Sequence, residues 1–343
     1  MADKEFKALL AEAQTAYNAN FKPVTWFGRC IFLSWYCDVG TCNFCFRSTI
    51  KHKIRHAATA KRTLASILTD AIIGRELGWR VEFLTGGYRI FSFEEMLDIT
   101  KKVSIVYGEK IWINLGTMTE EQLIALKPYV EGVCASIETV NPELHVKICP
   151  DKPIEPYSKM LKLADKMGFK KSMTIVIGLG EQAEDFETLA RFIEEHKLDR
   201  ITFYALKPVK GTPYTKSPEP EDYVWWIAKT RIMFPKLEIM AGLTPKMADK
   251  YAQLILDAGA NAITKFPAVK KFGSAQAIEI ERQVKAAGRI FNSTLTEMPD
   301  VDWKSKVEAL PFDETLKAQV AAKLTQYIDG MKSGKSVSEN DNE

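Results

Sequence analysis

Histidine is scarce in this chain: four occur in 343 residues, at His52, His56, His145 and His196. A zinc centre built on histidine therefore has little to draw on. His52 and His56 stand four apart, but in a Lys/Arg-rich stretch that reads as a solvated loop. Charge of one sign is also missing. Lys and Arg together number 47 against 44 Asp and Glu, a formal net charge of +3, which gives no electrostatic basis for binding nucleic acid or an anionic membrane. No run approaches the roughly 18 apolar residues of a membrane-spanning helix. Residues 1–20 carry Asp3, Glu5 and Glu12 and no apolar core, so they do not read as a signal peptide. The expectation is a cytoplasmic protein with no membrane or nucleic-acid partner.

Cysteine is scarce too, with six in all, and a cytosolic chain of this length with 46% hydrophobic residues needs no disulfides to hold a core. Three of the six are nevertheless close together, in Cys37-Asp38-Val39-Gly40-Thr41-Cys42-Asn43-Phe44-Cys45, a C-x4-C-x2-C spacing. Thiols at that density point to metal or redox chemistry. Three thiolates suit three corners of a four-iron cluster and leave the fourth iron open to a substrate. A structural zinc site would need a fourth ligand, and there is no second CxxC. Three thiols without a metal are the remaining reading, and spacing alone leaves all three open.

Around this motif, β-branched apolar runs alternate with helical patterns. Strands are expected near 29–35, 80–84, 110–115, 132–138, 172–177, 200–205, 237–241 and 261–264. Helices are expected near 61–78, 92–106, 119–126, 157–167, 183–195, 221–233, 245–258 and 274–287. Thr119 with Glu121 and Gln122 signals a helix start. Eight strand–helix units in about 260 residues predict an α/β fold, a complete (β/α)8 TIM barrel. The expected division is an N-terminal helical extension over 1–26, the barrel over 27–289, a C-terminal helical extension over 290–332 and a disordered tail over 333–343. Barrel active sites lie at the C-terminal ends of the strands. Cys37 falls two residues past the first expected strand, so the cysteine loop opens at that end, as do Gly86-Gly87, Glu138, Gly178 and Tyr204.

Taken together, these residues resemble the radical S-adenosylmethionine (SAM) superfamily, although its usual spacing is C-x3-C-x2-C. Phe44 matches the aromatic that lies against the adenine of SAM. Thr85-Gly86-Gly87 resembles the glycine motif that receives the SAM amino group, with Tyr88 in place of its acidic neighbour. Residues 174–181, including Val176 and Gly178, resemble the fifth-strand motif. Tyr204, Leu206 and the residues up to Pro213 resemble the sixth-strand segment that flanks the adenine. From about Phe27 to Gly288 the chain is similar to the group containing biotin synthase, the [FeFe]-hydrogenase maturase and methylornithine synthase. The resemblance implies a [4Fe–4S] cluster on Cys37, Cys42 and Cys45, with SAM cleaved reductively to a 5′-deoxyadenosyl radical that abstracts hydrogen. It implies a low-potential electron donor, ferredoxin or flavodoxin, and a small-molecule or carrier-bound substrate in cofactor biosynthesis.

By the period of two, Cys134, Ser136 and Glu138 share one face of the fourth strand. The resemblance gives Glu138 the SAM ribose, with Ser136 beside it. Cys30 and Cys134 read as core filling. Cys149, in a loop at the active end, is a candidate auxiliary-cluster ligand or sulfur carrier. Positions that hold the sulfur-donating cluster of biotin synthase fall on Trp112, Ser172 and Glu238, with Thr85 nearby, which argues against biotin synthase itself. Tyr157 stands where that enzyme has an arginine for the SAM carboxylate, and Arg47 is the substitute. Arg89, Asn114, Tyr204, Lys207 and Lys265 are candidate substrate contacts. Sulfur insertion of the lipoyl synthase kind leads. Its alternatives are hydrogenase-cofactor assembly, including the pyridinol of [Fe]-hydrogenase, and methylornithine-type rearrangement. A non-catalytic iron–sulfur or zinc scaffold is the alternative of another class.

Overall fold

A computed structural model of the chain describes residues 3–243 and 245–334, without the side chains of 245–250. Helix α1 (Asp3–Asn20) leads into β1 (Val24–Phe32). Helices α2 (Phe46–Ile50) and α3 (Leu64–Glu76) precede β2 (Arg80–Thr85), and α4 (Phe93–Tyr107) precedes β3 (Ile111–Asn114). Helix α5 (Glu120–Leu126) precedes β4 (Val130–Glu138), and α6 (Pro142–Ile148) and α7 (Glu155–Lys166) precede β5 (Lys170–Ile177). Then come α8 (Asp185–His196), β6 (Arg200–Ala205), α9 (Pro220–Met233), β7 (Glu238–Gly242), α10 (Pro245–Asp257) and β8 (Ala262–Thr264). Helix α11 (Ala275–Ala286), β9 (Ile290–Phe291), α12 (Trp303–Glu308) and α13 (Glu314–Ser333) complete the order.

Strands β1 to β8 pair in parallel in sequence order, and β1 pairs with both β8 and β2. The sheet therefore closes on itself, giving the expected (β/α)8 barrel. Outward faces of the strands and inward faces of the helices form one apolar core, including Ile31, Leu84, Ile113, Ile201 and Ile263, all nearly inaccessible to solvent. Burial of each such side chain contributes about 1.5–3 kcal/mol. The helix starts are set by side chains. Ser92 with Glu95, and Thr119 with Gln122, form reciprocal capping boxes that satisfy otherwise orphaned N–H groups. Among the described residues no helix is long and apolar enough to cross a membrane.

Several features differ from the sequence expectation. β1 runs from Val24 to Phe32, not 29–35, so Cys37 lies five residues beyond its end. The short α6, started by Asn141 and Pro142, was not expected, and neither was the two-residue β9, which pairs with Val24 and Thr25. Ser333 ends α13 and Gly334 caps it in a left-handed turn. The rest of the expected disordered tail, 335–343, lies outside the described residues.

The C-terminal helix is joined to the barrel by a buried charged network. Asp70 of α3 pairs with Arg29 of β1 at 2.8 Å and with Arg62 at 2.7 Å. Arg62 also donates to Ser66 Oγ at 2.6 Å and to the Tyr327 hydroxyl of α13 at 3.2 Å. Burial opposes the Asp70 carboxylate, but the two guanidiniums more than offset it and hold its pKa below the usual range. Asp70→Asn removes the buried carboxylate that both arginines share. It is expected to destabilise the fold by about 3–5 kcal/mol, read as a lower urea midpoint, and an unchanged midpoint would show that the network contributes nothing.

Candidate active site

Barrel closure brings the cysteine loop onto the turn after β2. Leu33 N–H donates to Thr85 O at 2.7 Å and Asp38 N–H to Tyr88 O at 3.0 Å, while Tyr88 N–H donates to the Cys37 sulfur at 3.3 Å. The contact is tightest at Gly87, where a Cβ would lie 1.5 Å from Tyr36 O and 2.7 Å from Cys37 Cα. Only glycine fits there. Gly40, at φ 56°, turns the chain back within the four-residue spacer between Cys37 and Cys42. The lengthened spacing is thus absorbed by one left-handed residue. Cys45 N–H donates to Cys42 O at 3.1 Å, and Cys45 then leads directly into α2. On the other side, Asn43 N–H donates to Ile148 O at 2.9 Å, which docks the C-terminal end of α6 against the cysteine loop.

The three thiols are half-buried and line one cavity of about 230 Å³ at the C-terminal mouth of the barrel. The same cavity is walled by Phe44, Thr85, Gly86, Gly87, Asn114, Ser136, Glu138, Val176, Tyr204 and Lys265. Ser136 Oγ donates to Asn114 Oδ1 at 2.7 Å, so the ends of β3 and β4 present a fixed polar pair. Glu138 ends β4 at φ 65°, just past a bulge in its pairing with β5. Its carboxylate pairs with Lys152 at 2.6 Å. Burial opposes the Lys152 ammonium, but the Glu138 carboxylate helps to outweigh it and keeps the lysine charged. Among the described residues no three Cys, His, Asp or Glu side chains converge on a single-ion position. Three half-buried thiols on one cavity wall are a donor set that suits three irons of a [4Fe–4S] cluster.

The structure does not bring every expected residue together. Arg89 is exposed, its guanidinium 5.2 Å from the Tyr88 ring centroid, and does not line the cavity. Gly178, at φ 103°, lines a separate groove with Pro218 and donates its N–H to Glu181 at 2.6 Å. Leu206 belongs to a neighbouring cavity. The Cys149 thiol is buried and hydrogen-bonded to Cys42, a contact that lowers the Cys42 pKa and raises that of Cys149. Cys30 and Cys134 pack with Phe83 and Trp112 inside the barrel, as core filling.

Sequence reasoning missed Lys152 and Glu82. In the pairing of β1 with β2, Arg29 faces Val81 and Cys30 faces Phe83, so Glu82 is an extra residue in β2. It is buried beneath the cavity. Its carboxylate accepts from Cys30 Sγ at 2.7 Å, from the Tyr204 hydroxyl and from Thr264 Oγ1. Burial and the adjacent Glu82 carboxylate push the Tyr204 phenol upward. Arg200, paired with Glu238, lies 4.0 Å from the Trp112 ring centroid and completes the floor.

The sequence signature of the Radical SAM superfamily matches residues 33–193, and that of the Biotin and Thiamin Synthesis associated domain matches residues 202–289. An uncharacterized protein of Methanocaldococcus jannaschii is 36% identical over 312 residues, covering 89% of this chain and 86% of its own length. Biotin synthase of Clostridium tetani is 30% identical over 188 residues, covering 53% of this chain but only 58% of that enzyme. Among solved structures, methylornithine synthase (PylB) superimposes with a TM-score of 0.69 at 18% identity, covering 89% of this chain and 93% of its own. The FeFe-hydrogenase maturase HydG from Carboxydothermus hydrogenoformans gives 0.68 at 14% identity, covering 98% and 86%. At those identities the structural likeness speaks for the barrel alone. The signatures, the relatives and a thiol-lined barrel mouth agree: this chain belongs to the radical SAM superfamily of enzymes, whose members use a [4Fe–4S] cluster and SAM.

Proposed function

We propose that Cys37, Cys42 and Cys45 hold the cluster in the mouth cavity and that the chain cleaves SAM there to abstract hydrogen from a small-molecule or carrier-bound substrate in cofactor biosynthesis. The observation that carries this reading is the shared cavity, in which three thiols face the glycine turn, the Asn114–Ser136 pair, Glu138, Val176 and Tyr204. When bound, cluster and SAM supply a 5′-deoxyadenosyl radical able to take hydrogen from an unactivated C–H bond. The chain's own part is positioning. Tyr88 N–H steadies the Cys37 sulfur, and Gly87 lets the glycine turn lie flat under the cysteine loop. Phe44, Val176 and Leu206 form one apolar patch suited to an adenine face. Ser136 and Glu138 offer polar atoms to a ribose, with Lys152 holding the carboxylate in place. The electron comes from a low-potential donor such as ferredoxin or flavodoxin.

Within this class, sulfur insertion of the lipoyl synthase kind is the leading reading, and Cys149 beside Cys42 supports it. Hydrogenase-cofactor assembly and methylornithine-type rearrangement are its competitors. Trp112, Ser172 and Glu238 occupy inner-barrel positions without a thiol, so an auxiliary cluster of the biotin synthase kind has no ligands there.

Anaerobic reconstitution with iron and sulfide, followed by reduction with SAM, is expected to yield 5′-deoxyadenosine. A cluster-loaded protein that yields none contradicts the reading. The Cys37/Cys42/Cys45→Ala triple variant separates the reactions. Retention of about four iron atoms per chain means an auxiliary cluster and favours sulfur insertion, whereas loss of all iron favours hydrogen abstraction without a protein sulfur donor. Gly87→Ala forces the cysteine loop off its turn. It is expected to lower iron affinity by about tenfold or more while the far-ultraviolet circular dichroism is kept, and native iron loading would refute the role given to that contact.

A further inference from the structure

Between Val39 and Thr69 the chain has no aspartate or glutamate, and it carries Arg47, Lys51, Lys53, Arg55, Lys61 and Arg62. Two of these cations have a carboxylate of their own. Arg62 pairs with Asp70 at 2.7 Å and Lys61 with Glu95 at 2.8 Å. Arg47 is half-buried against the rings of Phe32 and Phe46. Lys51, Lys53 and Arg55 are held differently. Among the described residues none of the three has a carboxylate within ion-pair distance. Lys53 and Arg55 are exposed, and neither lines the mouth cavity or its neighbour.

The arch that carries them is pinned to the cysteine loop. Helix α2 starts directly after Cys45, and a tight helical turn over Lys51–Lys53 follows it. The Lys51 ammonium donates to Val39 O at 3.1 Å and also to Asp38 O, both in the spacer between Cys37 and Cys42. Those acceptors are carbonyls, so the charge is not cancelled. The Lys51 stem lies on Gly40, where a Cβ would collide with its Cδ. At the far end of the arch Lys61 bridges to Ser34, and Trp35 N–H donates to Ala60 O at 3.0 Å. Val39 lines the mouth cavity while its carbonyl oxygen meets Lys51, so a single residue spans the wall from cavity to arch. Exposed cations flank the arch on the next loop. Lys207 and Lys210 follow β6, and a Cβ at Gly211 would lie 3.3 Å from Thr49 Cγ2 of α2. Against these cations the cysteine loop sets one carboxylate, Asp38.

Electron transfer weakens steeply with distance, so a protein that reduces a cluster in the mouth must dock where the wall over the thiols is thin. The arch covers such a place. Its free cations stand on open surface outside both cavities, which suits a protein face rather than an enclosed small molecule. Brief electron-transfer contacts bury little area and depend on charge to orient the partners. We propose that the arch over residues 51–56 is the docking surface for the low-potential electron donor, and that the donor meets Lys53 and Arg55 with an acidic face, as an acidic ferredoxin or flavodoxin does. The proposal rests on the reading that the three thiols hold a cluster, and it names the partner face through which the electron enters that site.

The test is isothermal titration of an oxidised acidic ferredoxin, and separately of a flavodoxin, into the anaerobically reconstituted full chain at low ionic strength. At least one carrier is expected to bind, and the Lys53→Glu, Arg55→Glu double variant to bind it about tenfold or more weakly. The neutral pair Lys53→Gln, Arg55→Gln should lose less, in the same direction. Lys166 and Lys236 are exposed cations that precede β5 and β7, at the opposite end of the barrel. Lys166→Glu with Lys236→Glu should bind the carrier as the native chain does. Binding of neither carrier by the native chain overturns the proposal, as does undiminished binding by the Lys53/Arg55 variants or an equal loss in the Lys166/Lys236 variant. Displacement of the carrier by an equimolar single-stranded oligonucleotide also overturns it, since the arch is then a general polyanion surface. Formation of 5′-deoxyadenosine by the native sample reduced with titanium(III) citrate, which needs no docking protein, checks the underlying reading separately. Failure there, with charge-dependent carrier binding intact, counts against the radical chemistry and not against the docking surface.

Discussion

Everything at the mouth of this barrel depends on the way β1 meets β2. Closing an eight-stranded parallel sheet requires the first strand to pair with both its sequence neighbour and the last strand. That closure places the loop after β1 against the turn after β2. The loop carries the three thiols and the turn carries Gly87, and the two backbones approach so closely that no side chain fits between them. The hydrogen bond from Tyr88 N–H to the Cys37 sulfur is a product of the same contact. The Cys37 sulfur is thereby positioned by main chain rather than by side-chain packing.

The ends of the other strands add function by breaking regularity. Arg89, Glu138 and Lys265 take left-handed conformations in the turns or ends that follow β2, β4 and β8. Such strain persists only where surrounding structure over-determines it. Glu138 is held by Lys152, and Lys265 lies over two aromatic rings. Beneath them, the bulge in β2 turns Glu82 into the barrel, where its carboxylate joins Cys30, Tyr204 and Thr264. The cavity floor is consequently a hydrogen-bonded network around Glu82 that fixes the Tyr204 ring, against which Lys265 lies.

The barrel itself was legible in the sequence, because eight alternating apolar periods and clear helix caps leave few other topologies. The cysteine loop, the glycine turn and the Ser136–Glu138 face were legible because each sits at a strand end with a recognisable residue pattern. Glu82 was not, since period-two alternation puts it on the opposite face from Phe83 and only the bulge lets both point inward. The Glu138–Lys152 pair joins a strand end to a loop beyond an unexpected short helix, a contact that no local pattern encodes. Arg89, a candidate substrate contact by sequence, has a left-handed backbone and stands at the surface over Tyr88.

The central claim is that the three thiols hold a cluster with one iron open to SAM. Electron paramagnetic resonance of the reduced, reconstituted protein, recorded before and after SAM is added, tests it most directly. A [4Fe–4S] signal whose line shape and g-values change on adding SAM is the predicted result. A cluster signal indifferent to SAM would contradict the account.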